Sequence, residues 1–234
     1  DVTIANGASL TVAAGQVVKL GNNDFFQIDG TLRALGTADN RTVFTSFRDD
    51  SAAGDSNADG NASVARAGDW QGLFFTSGSD GSELMYTDVR FAGNVFSAGN
   101  GSGLGIQAVR IDQSDLTATD LRVLDSDSVG LRLNSAMPTL DGLTINGSRY
   151  TPLSLDLQSD PTLTGFAATG NGTQGIFLEA GTLPGDRTLD QTLLPYYTNG
   201  NITVPRGITL TVNPGVGAKL SDGQAIDVGG SLDT

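Results

Sequence analysis

Val109-Arg110-Ile111, Leu131-Arg132-Leu133, Leu153-Ser154-Leu155 and Ile176-Phe177-Leu178 are four short alternating segments that follow one another at 22, 22 and 23 residues. Alternation with period two puts one face of each segment inward and the other outward. Two more apolar series keep a similar spacing, Leu121, Leu143 and Phe166, and Leu116, Leu140 and Leu163. Between them stand Gly, Asn, Asp and Pro, the residues of tight turns. Strands of three to five residues cannot bury a core alone, but they can stack, each coil about 4.8 Å above the last as in a parallel sheet. The spacing therefore predicts an all-β chain folded as a parallel β-helix. An antiparallel sandwich gives no reason for like residues to recur at a fixed distance. Right-handed coiling is expected, because the hexapeptide repeats of left-handed coils are absent.

A longer repeat frames the shorter one. Residues 1–34 return at 201–234 without a gap, and Thr3, Gly7, Leu10, Thr11, Val12, Gly15, Lys19, Leu20, Gly30 and Leu32 are identical to the residues 200 positions later. Such self-similarity marks a tandem array. Residues 1–200 read as one repeat unit, and 201–234 as the start of the next in the same solenoid. Two segments break the short period, about 47–69 (polar) and 97–105 (rich in Gly, Ser and Asn). Both are expected as loop insertions at coil corners, where they leave the strand stack intact. The rest makes on the order of nine coils, roughly 40 Å of rod.

Composition supports this and narrows the chemistry. The 234 residues include 32 glycines and are only 17 % charged. That disfavours helices, since a glycine costs about 1 kcal/mol in a helix interior. The formal net charge is −13 and all but two of the 26 acids are Asp, a turn residue and a hard-cation ligand. Such a field favours divalent cations over nucleic acid or anionic membrane. There is no Cys and no His, so disulfides, thiolate metal sites, a Ser-His-Asp triad and the usual zinc ligands are excluded. No run of 18 apolar residues occurs, so no membrane insertion is expected. The lack of an initiator Met fits an excised fragment, and an acidic, Cys-free chain suits an extracellular or cell-surface setting.

The sharpest local motif is Asp55-Ser56-Asn57-Ala58-Asp59-Gly60-Asn61. It carries the first half of a calcium loop: oxygen side chains at positions one, three and five, a turn glycine at six, and a backbone carbonyl at seven. Position twelve is Arg66, so the bidentate Glu of an EF-hand is missing. Asp49, Asp50 and Asp69 are the candidates for the remaining ligands, giving Asp49, Asp50, Asp55, Asn57, Asp59, Asn61 and Asp69 as the metal-ligating set. Five carboxylates gathered without a cation would repel one another. The competing reading is a solvated, Asx-rich turn. A bound Ca2+ would be structural, fastening the insertion beside Trp70.

Two stretches, Val2 to Gly15 and Ile202 to Gly215, resemble the opening coil of right-handed parallel β-helix repeat modules found in large secreted or surface-attached bacterial proteins. Gly30 to Thr37 with Val43 to Ser46, and Gly68 to Phe75, look like the coils that follow. Leu194-Pro195-Tyr196-Tyr197 resembles the lead-in to the next opening coil. The resemblance implies a spacer, stalk or adhesive module, and similar Asp-rich insertions before Gly-Asp-Trp look metal-ligating in such proteins. The fold also hosts lyases and hydrolases. The polygalacturonase-like pattern needs Gly-His-Gly and Arg-x-Lys, and neither occurs. Arg90, Arg110, Arg122 and Arg132 leave a lyase-like base open, while Arg110, Arg132 and segment 97–105 are the natural grip for an anionic polysaccharide. Columns of Asp88, Arg90, Asp120 and Arg122 read more simply as exterior residues neutralising one another. Thr-x-Thr fails to recur on successive coils, against an ice-binding face, and Asn146-Gly147-Ser148 and Asn171-Gly172-Thr173 are Asn-Gly turns. The expectation is a calcium-stabilised structural or adhesive module and not an enzyme. Its partners would be neighbouring repeat units of the same polypeptide, another copy by end-to-end self-association, or an extracellular glycan.

Overall fold

A computed structural model of the chain describes residues 1–60, 62–94 and 106–234. Among them every regular element is a β-strand, and every strand-to-strand ladder is parallel. The first coil is β1 (Val2–Ile4), β2 (Ser9–Ala13) and β3 (Val17–Leu20), and the second is β4 (Phe25–Ile28), β5 (Thr31–Leu35) and β6 (Thr42–Ser46). Two coils have their second and third faces in one bent strand: β7 (Gly72–Phe75) with β8 (Glu83–Arg90), and β9 (Val109–Asp112) with β10 (Thr117–Leu124). Then follow β11 (Leu131–Asn134), β12 (Thr139–Asp141) and β13 (Thr144–Asn146), and next β14 (Leu153–Leu155), β15 (Thr162–Thr164) and β16 (Ala167–Thr169). The last three coils are β17 (Ile176–Leu178), β18 (Gly181–Thr182) and β19 (Arg187–Leu189); β20 (Tyr196–Thr198), β21 (Ile202–Val204) and β22 (Thr209–Val212); and β23 (Ala218–Leu220), β24 (Ile226–Val228) and β25 (Ser231–Asp233). The chain is a parallel β-solenoid of about 10 turns.

One face is a single nine-stranded sheet in the order β1-β4-β7-β9-β11-β14-β17-β20-β23. Its register pairs Val109 with Leu131, Leu131 with Leu153 and Leu153 with Ile176, the columns that the 22-residue spacing predicts. Leu140 pairs with Leu163 as expected, but its other neighbour is Ala118 and not Leu116. The slip is two residues, which keeps the same side inward, and Leu116 is buried as well. Arg122 likewise lies opposite Asp88, so the column is mixed in charge.

The core runs down the axis as a ladder of inward side chains, from Ile4, Phe26, Ile28 and Leu32 to Ile202, Val204 and Leu210. Phe26 and Phe44 pack edge to face with ring centres 5.7 Å apart, and Trp70 is fully buried beside the first insertion. Burying a Leu, Ile or Phe contributes about 1.5–3 kcal/mol each, so the ladder outweighs any surface pairing. Corners are made by columns of single left-handed residues. Tyr86, Asp120, Gly142 and Gly165 turn the chain between the second and third faces with φ of 43°, 51°, 74° and 60°. Phe91, Asp125, Gly147 and Gly170 (59°, 55°, 74°, 64°) turn it back to the first. No described helix is long and apolar enough to cross a membrane.

Candidate metal centre

The first insertion leaves the solenoid after Ser46 and returns at Gly72, at the corner between the third and first faces. Its roots are fixed by two buried carboxylates. Asp49 accepts hydrogen bonds from Thr45 Oγ1 (2.7 Å), Ser51 Oγ (2.5 Å) and Ser51 N (3.2 Å). Asp69 accepts from Ser46 Oγ (2.6 Å), Arg66 N (3.0 Å) and Arg48 Nη1 (3.0 Å). Their exposures are 3 % and 8 %, and these partners account for why they are buried: an unsatisfied buried carboxylate would be far more costly. Trp70 donates its indole N–H to the Arg90 carbonyl at 2.7 Å, and Lys19 Nζ donates to the Gly54 carbonyl at 2.5 Å. Lys19 thus ties the loop to the first coil.

Above these anchors the loop curls on itself. Asp55 accepts from the backbone amides of Asp59 (3.3 Å) and Gly60 (2.9 Å), which closes a turn with Ala58 and Gly60 at φ of 55° and 68°. That turn, with Asp50 arriving from the loop root, brings carboxylate oxygens of Asp50, Asp55 and Asp59 within 4.8 Å of one another. Asn57 Nδ2 donates to Asp59 Oδ2 (2.9 Å) and to Ser63 Oγ (2.9 Å), and Ser63 Oγ donates to the same Asp59 oxygen (2.6 Å). Among the described residues, Asp50 Oδ1 and Asn57 Oδ1 are buried acceptors with no hydrogen-bond donor.

Of the seven candidate ligands, the fold therefore gathers Asp50, Asp55 and Asp59, with Asn57 joined to them through Asp59. Asp49 and Asp69 serve as anchors of the loop roots, and Asn61 lies outside the described residues. Each like-charged pair at such a distance costs about 1–3 kcal/mol at an effective dielectric between that of water and that of a protein surface. A cation held by these three carboxylates would remove this cost and would give Asp50 Oδ1 a partner. All the donors are oxygens, the set for a hard cation such as Ca2+ and not for zinc or copper. Turning the Asn57 amide over would present its oxygen as a fourth ligand.

The arginines of the exterior columns, Arg90, Arg110, Arg122 and Arg132, are engaged. Arg41 bridges Asp88 (2.6 Å) and Asp120 (3.1 Å), Arg90 pairs with Asp88 (2.5 Å), and Arg122 pairs with Asp120 (3.3 Å). Arg110 pairs with Asp112 (2.6 Å). Arg132, on β11, reaches Glu179, just past β17, at 2.8 Å and so crosses the outer side of β14. Ser154, the outward residue of β14, is completely buried and stands between Arg132 and Phe177 in the same column. Glu179 was not legible as a partner, because it is two coils and 47 residues away. Segment 97–105 lies outside the described residues, and its base is closed by an antiparallel bridge between Asn94 and Ile106. The chain matches no protein-family model, no curated protein and no solved structure.

Proposed function

We propose that the chain is a structural and adhesive repeat module of a large extracellular bacterial protein, a β-solenoid spacer whose Asp-rich loop is fastened by calcium. The observation that carries this reading is the position of the duplicate. β21 to β25 repeat the sequence of β1 to β5 and continue the same stack of coils without a break in the first-face sheet. Repetition here adds length along an axis, whereas catalysis needs one arranged site. The loop chemistry supports the calcium part: three carboxylates and an orphaned buried oxygen at a turn held by Lys19, Asp49 and Asp69. The Asp-rich, Cys-free composition and the resemblance of the opening coils support the extracellular, bacterial setting.

The rival reading is a polysaccharide-binding or polysaccharide-cleaving module that grips its ligand with Arg110 and Arg132. Both guanidinium groups are already neutralised, by Asp112 and Glu179, so a sugar acid would have to displace a carboxylate. A glycan array combined with a lyase assay on uronate polymers separates the two. The spacer reading expects neither retention nor unsaturated product. Micromolar binding of a glycan, or product formation abolished by Arg110→Ala or Arg132→Ala, would overturn it.

A further inference from the structure

Leu140 on β12 and Ile145 on β13 are 1 % and 0 % exposed. Their partners one coil later, Leu163 on β15 and Ala168 on β16, share the inward register but are only half-buried. The reason lies in the coil above them. Residues 156–161 separate β14 from β15, whereas residues 179–180 alone separate β17 from β18. The coil β17–β19 therefore turns early and loses register with the coil β14–β16. β15 and β16 are last in their sheet, and β18 and β19 are first in two new ones. Among the described residues, only the first face carries a ladder across this junction, through β14 and β17. Every other junction between described coils has backbone pairing on all three faces.

On the two open faces side chains replace the ladder. Arg187 of β19 points inward, in register with buried Leu210, and its Nη1 donates to the Ser159 carbonyl. Gln191 Nε2 donates to the Leu163 carbonyl at 3.3 Å. Arg187 is 6 % exposed, yet its ion-pair partner Asp160 stands 3.6 Å away with a side chain that is 58 % exposed. Among the described residues, Arg187 Nε has no hydrogen-bond partner. A guanidinium buried with an unsatisfied N–H is a costly filler where the rest of the core stacks apolar side chains.

We propose that the junction between β14–β16 and β17–β19 is a hinge, at which the rod opens on its second and third faces while the first-face sheet holds as a strap. Opening breaks two side-chain hydrogen bonds and one ion pair but no backbone ladder, so it needs far less free energy than parting any other two coils. It also returns the Arg187 guanidinium to water, and Leu163 and Ala168 are already partly wet. The halves on either side keep complete ladders and move as rigid bodies, the pattern of a hinge and not of local unfolding. The device is internal to the chain and needs neither calcium nor a neighbouring unit.

Double electron–electron resonance between paired spin labels tests this, in a chain with no cysteine of its own. Thr144→Cys with Thr211→Cys spans the junction on the third face, and Asn134→Cys with Lys219→Cys spans it on the first. All four side chains face outward, and circular dichroism checks that the solenoid is intact. The first-face pair is expected to give one narrow distance distribution, and the third-face pair a distribution with a second, longer component. Arg187→Met fills the inward position without a charge and should shrink the longer component about fivefold or more. Gln191→Ala, at a half-buried site, removes one of the two closing hydrogen bonds and should enlarge it by about two- to tenfold. A third-face distribution as narrow as the first-face one would overturn the proposal. So would two broad distributions, which indicate a rod that flexes throughout, or a longer component that neither variant changes.

Discussion

Gly30 and Gly230 hold the same position in the two copies and the same geometry. The amide of Gly30 and that of Asp29 both donate to Ile4 O, and the amides of Gly230 and Gly229 both donate to Val204 O. A Cβ at Gly30 would fall closer than 3.0 Å to the carbonyl oxygens of Ala5 and Ala8, and at Gly230 to those of Pro205 and Ile208. These obstacles are backbone, so neither site yields by a change of rotamer. Overpacking of this kind costs typically about 1–3 kcal/mol, and Gly30→Ala belongs at or beyond the top of that range. The strands that flank it, β4 and β5, are clamped between β1 and β2 below and β7 and β8 above. Gly230→Ala meets the equivalent carbonyls, but in this chain β24 and β25 are the last described strands of their sheets and can lift, so about 1 kcal/mol is expected. Gly7 is the control. It has φ of 78° and nothing within 4 Å of its would-be Cβ, so Gly7→Ala adds only a left-handed alanine, about 1 kcal/mol. Urea titration followed by circular dichroism and by the fluorescence of Trp70 measures all three. With a slope of about 3 kcal/mol per M, Gly30→Ala should lower the midpoint by on the order of 1 M and the other two by a third of that. An unchanged midpoint for Gly30→Ala, or an equal cost for Gly230→Ala, would refute the assignment of the clash to stacked coils.

Calcium removal tests the loop. EGTA should lower the melting temperature, and Asp55→Ala with Asp59→Ala should reproduce that lower value and make it insensitive to chelator. Calcium a hundredfold above its dissociation constant contributes about 2.7 kcal/mol by mass action, and identical melting curves in calcium and EGTA would remove the structural role. Alkali should weaken the last coils. Burial raises the phenols of Tyr196 and Tyr197, against the lowering effect of the backbone amides near Tyr196 and of Thr151 and Thr173 near Tyr197. A folded-state value above the unfolded one means the stabilisation is complete below the unfolded phenol value of about 10 and is lost as pH rises through the higher folded value. Tyr196→Phe with Tyr197→Phe should abolish that alkaline loss in pH-dependent urea titrations, and a loss of the same size in the double variant would contradict the assignment.

The solenoid was legible wherever coils have equal length. Val109, Leu131, Leu153 and Ile176 keep a 22–23-residue spacing, and the structure stacks them. Insertions hide the same column elsewhere: Phe26, Leu73 and Val109 are also stacked, but 47 and 36 residues apart. The Asp-rich loop was readable as a group and not residue by residue. Asp49 and Asp50 are neighbours in sequence, and one is buried against Thr45 and Ser51 while the other joins the carboxylate cluster. Only tertiary packing decides between them. The left-handed corners at Tyr86, Phe91 and Gln113 had no sequence signal, because bulky residues seldom adopt that conformation and here the stack imposes it.

The repeat of 200 residues is not a whole number of coils, and that bears on function. Seven steps along the nine-stranded sheet lead from β1 to β20, but the duplicate of β1 is β21, one face further round. One unit therefore advances seven and one third coils, about 35 Å at about 4.8 Å per coil. Equivalent side chains meet different neighbours as a result. Lys19 lies on the third face and holds the loop at Gly54, whereas Lys219 lies on the first face in register with Tyr197. Gln27 belongs to the outward column that contains Phe74, Arg110 and Arg132, while its duplicate Asp227 has moved to the sheet of β21 and β24. In an array of such units no outward column would continue along one face, and a glycan lying straight along the rod would lose its track after each unit. The Asp-rich loops would instead emerge a third of a turn apart, winding round a shaft whose only uninterrupted feature is its core. That geometry suits a spacer that presents loops in every direction better than a track for a polymer.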